Sequence, residues 1–215
     1  MALFIQKYGG TSLADVQRIK SVARHCIAMQ RAGKDVVVVI AAMSGEANRL
    51  HKLVSNFSDW PNKREQDVVV AAGEQIAVGL LALAIQAQGG QAVSFLPHQC
   101  GLITDGASSH ARIRRIDGEK IADVLQKKQI VVISGFLGMD EAGNLTALGP
   151  NGADQTAGAI AAALQDEDCE IYSDREDLHP GSRSVAQGSG HLEIHPELDS
   201  ARPSVVGAHL APQKT

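Results

Sequence analysis

The sequence predicts an α/β fold: a three-layer αβα sandwich around a mostly parallel central sheet. Three observations predict it. Two β-branched runs, DVVVVIA at residues 35–41 and QIVVIS at 129–134, are apolar without interruption, as strands are when helices cover a parallel sheet on both faces. Strand-like and helix-like patterns alternate along most of the chain. Glycines stop the strands abruptly, at Gly9-Gly10 and at Gly135.

Each element follows in order. Residues 3–7 read as a short buried strand. Ser12 with Asp15 has the capping-box spacing, so a helix is predicted from there. Val16, Ile19, Ala23, Cys26 and Ile27 fall near its apolar face, and Gly33 stops it. The strand at 35–41 is followed by a polar loop at 44–46 and a helix at 47–55. Residues 56–64, with Pro61, loop out. Residues 65–87 are rich in Ala and Leu and helical in propensity, and Gly89-Gly90 ends them. Short strands are predicted at 91–95 and 102–104. Asp117 caps a helix through Lys128 whose apolar positions are Ile121, Val124 and Leu125. The strand at 129–134 leads to a glycine-rich loop at 138–152 with one extended piece at 144–148. Asp154 opens an Ala-rich helix to Leu164, and residues 169–173 form a late strand. From Arg175 onward the pattern fails. Pro180, Pro196, Pro203 and Pro212 interrupt it, and it reads as loop, weak helix or disorder.

Composition narrows the function. The 215 residues carry Lys+Arg 20 against Asp+Glu 24, a net charge of −4. That argues against a protein that grips nucleic acid by charge, and 3% aromatic residues leave little for base stacking. The apolar stretches at 36–43 and 76–85 fall short of the roughly 20 residues a bilayer span needs, so no membrane partner is predicted. MALFIQK has no basic n-region or long apolar h-region. Cys26, Cys100 and Cys169 are odd in number and far apart, as free thiols of a reducing cytoplasm are. A cytoplasmic protein acting on a small molecule is expected.

Five segments carry the chemistry. Lys7-Tyr8-Gly9-Gly10-Thr11-Ser12 lies between a strand and a helix. Paired glycines let the main chain approach an anion, the helix start favours negative charge, and Lys7 adds a point charge suited to phosphate. An ordinary capped turn has the same pattern. Residues 42–50 (AMSGEANRL) follow a buried strand and face the same crevice if the strands are parallel; a capped helix start would look alike. Glu74 sits in an apolar helix, where a carboxylate is costly unless paired. It either receives an ammonium group or faces solvent. Asp154, at a loop-to-helix junction, either caps that helix or orients Lys7 or a metal-bound phosphate. Ser173 and Asp174 end a late strand, where they suit a nucleotide edge or simply a strand terminus. His191 and His195 flank Glu193 at helical spacing, but Pro196 follows at once and no third ligand is near, so no metal site is predicted.

Together and in order, these segments resemble the catalytic domain of the aspartate kinases, in the amino-acid-kinase superfamily. KYGGTS with its D-x-x-R-I helix, VVVVIAAMSGEANRL, VVVAAGEQ, VVISGFLGMDEAGNLTALG and CEIYSD carry the resemblance, over about residues 2–174. It implies an amino-acid-kinase-like sandwich and transfer of the γ-phosphoryl group of ATP, with Mg2+, to the side-chain carboxylate of L-aspartate. Lys7, Tyr8, Gly9 and Gly10 would hold the phosphates, and Ser173 and Asp174 would border the nucleotide. Glu74 would take the substrate ammonium beside Ser12 and Ala47, and Asp154 would organise Lys7. Family precedent also implies a homodimer.

The chain departs from the family at the acid-binding side. Its loop reads Leu148-Gly149-Pro150-Asn151-Gly152-Ala153-Asp154, with Pro150 where the family has an arginine and Ala153 where it has a serine. Ala47 replaces a threonine and Ala41 a serine. A neutral hydrogen bond nets about 1 kcal/mol and a charged one up to about 3, so aspartate affinity is expected to drop by orders of magnitude. The expected organisation is a partial catalytic domain at residues 1–178, a sheet incomplete at its C-terminal end, a divergent tail at 179–215 and no ACT regulatory domain. A relative acting on another small acid, or a catalytically impaired nucleotide-binding homologue, are the alternatives.

Overall fold

The computed structural model describes residues 3–164, 169–172 and 194–195. Its central sheet holds six strands in the order β10-β9-β1-β2-β6-β3. They are β1 (Leu3–Tyr8), β2 (Asp35–Ile40), β3 (Ala92–Phe95), β6 (Ile130–Ser134), β9 (Cys169–Tyr172) and β10 (Ile194–His195). Every neighbouring pair is parallel. The tail, expected as loop or weak helix, therefore contributes an edge strand at β10.

Alternation along β2 builds the three layers. Val36, Val38 and Ile40 face one way, with Tyr8, Ile130 and Val132, onto α1 (Val16–Arg31) and α3 (Lys63–Ala87). Val37 and Val39 face the other way, with Ile5, Val131 and Ile133, onto α4 (Gly118–Gln126) and α5 (Gly152–Ala163). A strand buried on both faces needs apolar residues at every position, and that is why the β-branched runs were uninterrupted. Helix α2 (Glu46–Ser55) packs on α3. α3 spans 25 residues and is apolar enough to cross a bilayer by length and composition, yet half of that apolar stretch is buried inside the fold. It is a core helix.

A second, mixed sheet was only half expected. Its order is β5-β4-β7-β8: β5 (Ile113–Arg115), β4 (Ile103–Thr104), β7 (Leu137–Met139) and β8 (Leu145–Ala147). β5 and β7 escape the sequence pattern because β5 carries Arg114 and Arg115 in a charged stretch and β7 carries Gly138. A side chain at Gly138 would run into Thr104, so glycine is the residue that lets β7 lie against β4.

The first helix starts later than predicted. A short 3-10 turn, Thr11–Leu13, follows Gly10, and the N-cap of α1 is Asp15. Asp15 Oδ1 accepts the N–H groups of Gln17 and Arg18 at 2.8 and 2.9 Å. Ser12 is buried in the 3-10 turn instead, and Val16 is exposed. Asp15→Ala should lower the unfolding free energy in urea by about 1 kcal/mol, while Asp15→Asn, which keeps an acceptor, should cost only a few tenths.

Candidate active site

Parallel strands put all their carboxyl ends on one side of the sheet, and ligands of open α/β sheets bind there. Three chain segments converge at that edge. The Ser44 N–H donates to the Gly10 carbonyl at 3.1 Å, and the Ala41 N–H to the Tyr8 carbonyl at 3.2 Å. A Cβ on Gly10 would stand 3.0 Å from the Ala42 carbonyl oxygen, so the turn after β1 and the turn after β2 touch main chain to main chain. The Gly135 N–H donates to the Ile40 carbonyl at 2.7 Å. A Cβ at Gly135 would fall 2.6 Å from that of Ala153. Glycine at 135 therefore lets the start of α5 press against the end of β6.

Lys7 and Asp154 meet because of this packing. Lys7 shares its sheet face with Ile5, the face that α5 covers. Its Nζ lies 2.8 Å from Asp154 Oδ1, with both side chains largely buried. The contact has the distance of an ion pair but not hydrogen-bond geometry, and Oδ1 has no hydrogen-bond partner. Asp154 does not cap α5. The N-cap is Asn151, in the left-handed conformation at φ 59° and without a side-chain capping bond, and α5 begins at Gly152 rather than at Asp154. Of the two roles open to Asp154 in the sequence, the geometry selects the partnership with Lys7.

Glu74 lies on the opposite face of the sheet, in α3, and is 4% exposed. The solvent-facing alternative is thereby removed. The Ala42 N–H donates to its carboxyl, but burial dominates and pushes its pKa up to about 8. Oε2 has no partner. Gly73 fits α3 closely against α2: a Cβ there would meet Glu46, Leu50 and Ala42 at 3.1–3.4 Å. Ala47 is half-buried in the first turn of α2, which follows Gly45 at φ 78°. Tyr8 is a correction. Its side chain is fully buried in the core on the α1 and α3 side and its hydroxyl donates to Gln6 Oε1 at 3.3 Å. Only its main chain remains for a ligand. The expected dipole of α1 behind Gly9-Gly10 is another, because Asp15 consumes the first N–H groups of that helix. Ser173 and Asp174 lie outside the described residues, as does His191, while His195 lies in β10.

Ser134 escapes the sequence pattern. It ends β6, is fully buried, and its Oγ has no partner. With Glu74 Oε2 and Asp154 Oδ1 it completes the unsatisfied buried side-chain atoms among the described residues. Buried polar atoms without partners are rare. A serine closing an apolar strand just before a glycine was its sequence signal.

The amino acid kinase family model matches residues 2–182. An aspartate kinase of Pseudomonas putida is 42% identical over 193 residues, 90% of this chain and 47% of that protein. Aspartokinase 2 of Bacillus subtilis is 44% identical over 174 residues, 81% of this chain and 43% of its own. The crystal structure of an aspartate kinase from Synechocystis superposes with a TM-score of 0.82 at 27% identity, over all of this chain and 40% of that one. Escherichia coli aspartokinase III, solved with aspartate and ADP, shares the fold at a TM-score of 0.63 and 20% identity. The chain spans about half the length of the curated relatives it matches.

Glu74 makes stability depend on pH. With its folded pKa near 8 against an ordinary 4.5, the native state keeps a proton that the unfolded chain releases between those values. Stability should therefore be full below about pH 4.5 and fall as pH rises through about 8. Glu74→Gln should flatten that part of the curve, as read by urea melts from pH 5 to about 8.5.

Proposed function

Since the chain belongs to the amino acid kinase family, we propose that it transfers the γ-phosphoryl group of ATP to the side-chain carboxylate of L-aspartate, giving 4-phospho-L-aspartate and ADP. The observation that carries this reading is one sheet edge with opposite charge preferences on its two faces. A buried ammonium, Lys7, stands on one face. A buried and under-satisfied carboxyl, Glu74, stands on the other. The first suits a phosphate chain and the second an amino acid's ammonium group.

In this reading the main chain at Gly9 and Gly10 cradles the transferring phosphate and Lys7 neutralises its charge. Asp154 holds Lys7 in place, and Ser173 and Asp174 border the nucleotide. The attacking carboxylate oxygen forms its bond to the γ-phosphorus as the bond to the β–γ bridging oxygen breaks. That oxygen departs with ADP. The acceptor carboxylate is already ionised at neutral pH, so no side-chain base is needed, and positioning and charge neutralisation carry the step. Mg2+ on the triphosphate would supply further neutralisation. No group of three or more His, Cys, Asp or Glu suited to a metal occurs among the described residues. Asp154 would therefore contribute one ligand, with nucleotide oxygens and water supplying the rest, as Mg2+ prefers.

Residues 1–178 are the phosphotransfer unit in this proposal. A homodimer is supported by Ile76, Leu80 and Leu83, exposed along one face of α3. Pro150 favours a second reading, in which the acceptor is another small acid. It is exposed in the loop before α5 and offers no donor to a substrate carboxylate.

Hydroxylamine traps acyl phosphates and so tests the reaction directly. With Mg·ATP and aspartate the chain should form hydroxamate, and Lys7→Ala should reduce it about 10²–10³-fold. Hydroxamate only with a different acid would favour the second reading. Nucleotide uptake without product from any acid would leave an impaired homologue. A calorimetric signature accompanies binding. An ammonium drawn to Glu74 lowers its pKa, so aspartate binding at pH 7 should release about one proton, seen as a heat that varies with buffer ionisation enthalpy. Glu74→Gln should abolish that release.

A further inference from the structure

α3 carries a second buried carboxylate besides Glu74. Asp67 precedes Glu74 by seven residues, on the same helix face and about 10 Å away along the axis, and is 1% exposed. Its partners all come from other segments. Oδ2 accepts the Ser109 N–H at 2.8 Å and the Ala147 N–H at 3.0 Å. Oδ1 accepts the Ser109 hydroxyl at 2.9 Å. A charge taken from water is tolerated only when its lone pairs are met, and three donors meet these.

The two segments so held lead to the site. Ser109 has φ 66°, a conformation that costs a non-glycine residue energy and persists only where surroundings enforce it. The turn at Ser109 and His110 packs on Gly149, where a Cβ would stand 3.2 Å from His110 Nδ1 and 3.3 Å from the Ser109 carbonyl oxygen. Ala147 ends β8, and its carbonyl accepts the Ala111 N–H at 2.9 Å. From Ala147 the chain passes through Leu148, Gly149 and Pro150 to Asp154, the partner of Lys7.

We propose that Asp67 is a positioning residue for the acid substrate. One helix then carries both the group that receives the substrate's ammonium and the clamp that fixes the loop before α5, residues 148–151. The inference rests on the acid-phosphorylating reading above. The proposed phosphate site is fixed by other segments: Lys7 lies in β1, the Gly10 carbonyl accepts the Ser44 N–H, and Asp154 is set where Ala153 closes on Gly135.

The test compares Asp67→Ala, Asp67→Asn and Ser109→Ala in the full chain. Asparagine can preserve all three bonds. Its carbonyl accepts both N–H groups, and its amide donates to the Ser109 oxygen acting as acceptor. Asp67→Ala should raise the aspartate KM by about tenfold or more with the ATP KM changed less than about twofold, because three hydrogen bonds to a charged group are lost. Asp67→Asn should return the aspartate KM to within about threefold of the unaltered chain. Ser109→Ala removes the hydroxyl bond to Asp67 Oδ1 and keeps both N–H bonds to Oδ2, so it should move the aspartate KM in the same direction by about fivefold. Hydrogen exchange gives a readout free of activity: the Ser109 and Ala147 amides should lose protection in Asp67→Ala and keep it in Asp67→Asn. An aspartate KM unmoved in both alanine variants, or ATP and aspartate constants rising in proportion, overturns the proposal while the kinase reading stands. If the unaltered chain phosphorylates no acid, the kinase reading fails and this inference falls with it. Loss of amide protection alone would then show a clamp without a substrate.

Discussion

An ammonium group in a nearly dry site needs an opposite charge, and the working end of this molecule is arranged around that requirement at Lys7. Asp154 meets it at 2.8 Å. Each partner is fixed independently. Lys7 belongs to an inner strand and is laddered to Val39 on one side and Ile171 on the other. Asp154 is fixed because α5 begins where Ala153 closes on Gly135. Two rigid elements thus bring the two side chains within reach of each other without moving the backbone. Removing either partner would strand the other in the interior, which costs far more than the pair itself contributes. The pair lacks full hydrogen bonding at Asp154 Oδ1, and under the proposed reaction a phosphate would share the ammonium without displacing an ideal partner.

The sequence was most legible where a single physical rule acts alone. Burial on both faces of a parallel sheet demands apolar residues at every position, and the runs at β2 and β6 therefore announce themselves. Lys7, Glu74 and Asp154 were legible for the opposite reason: each is a charge in apolar surroundings or at a strand's end, where chemistry and cost both draw notice. Legibility failed where two rules compete at one position. Ser12 and Asp15 are both good caps, and local spacing could not reveal that a 3-10 turn would shift the helix start to Asp15. Tyr8 was read with its neighbours Lys7 and Gly9 as part of one loop. Period-two alternation instead sends its side chain to the other face of the sheet, away from Lys7. Ser134 and Asp67 were silent because their meaning depends on partners they lack or partners far along the chain. Asp67 is tied to Ser109 and Ala147, 42 and 80 residues away.

The same alternation explains how one strand edge serves groups of opposite charge. Lys7 faces α5, whereas Glu74 reaches the edge from α3 on the far side, where the Ala42 N–H holds it. The sheet's thickness keeps the ammonium and the carboxyl from neutralising each other. Separated, each keeps part of its demand open. A ligand satisfying both must carry negative charge over β1 and positive charge under β2, with its reacting atoms at the ends of the strands between. An ionised amino acid beside a polyphosphate has that charge order, and a simple dicarboxylic acid does not. Neither Pro150 nor Ala153 offers a side-chain donor, and both leave this charge order intact. Under the proposed reaction, substitution there would act on which acid binds and how tightly, and the ammonium preference would stay with Glu74.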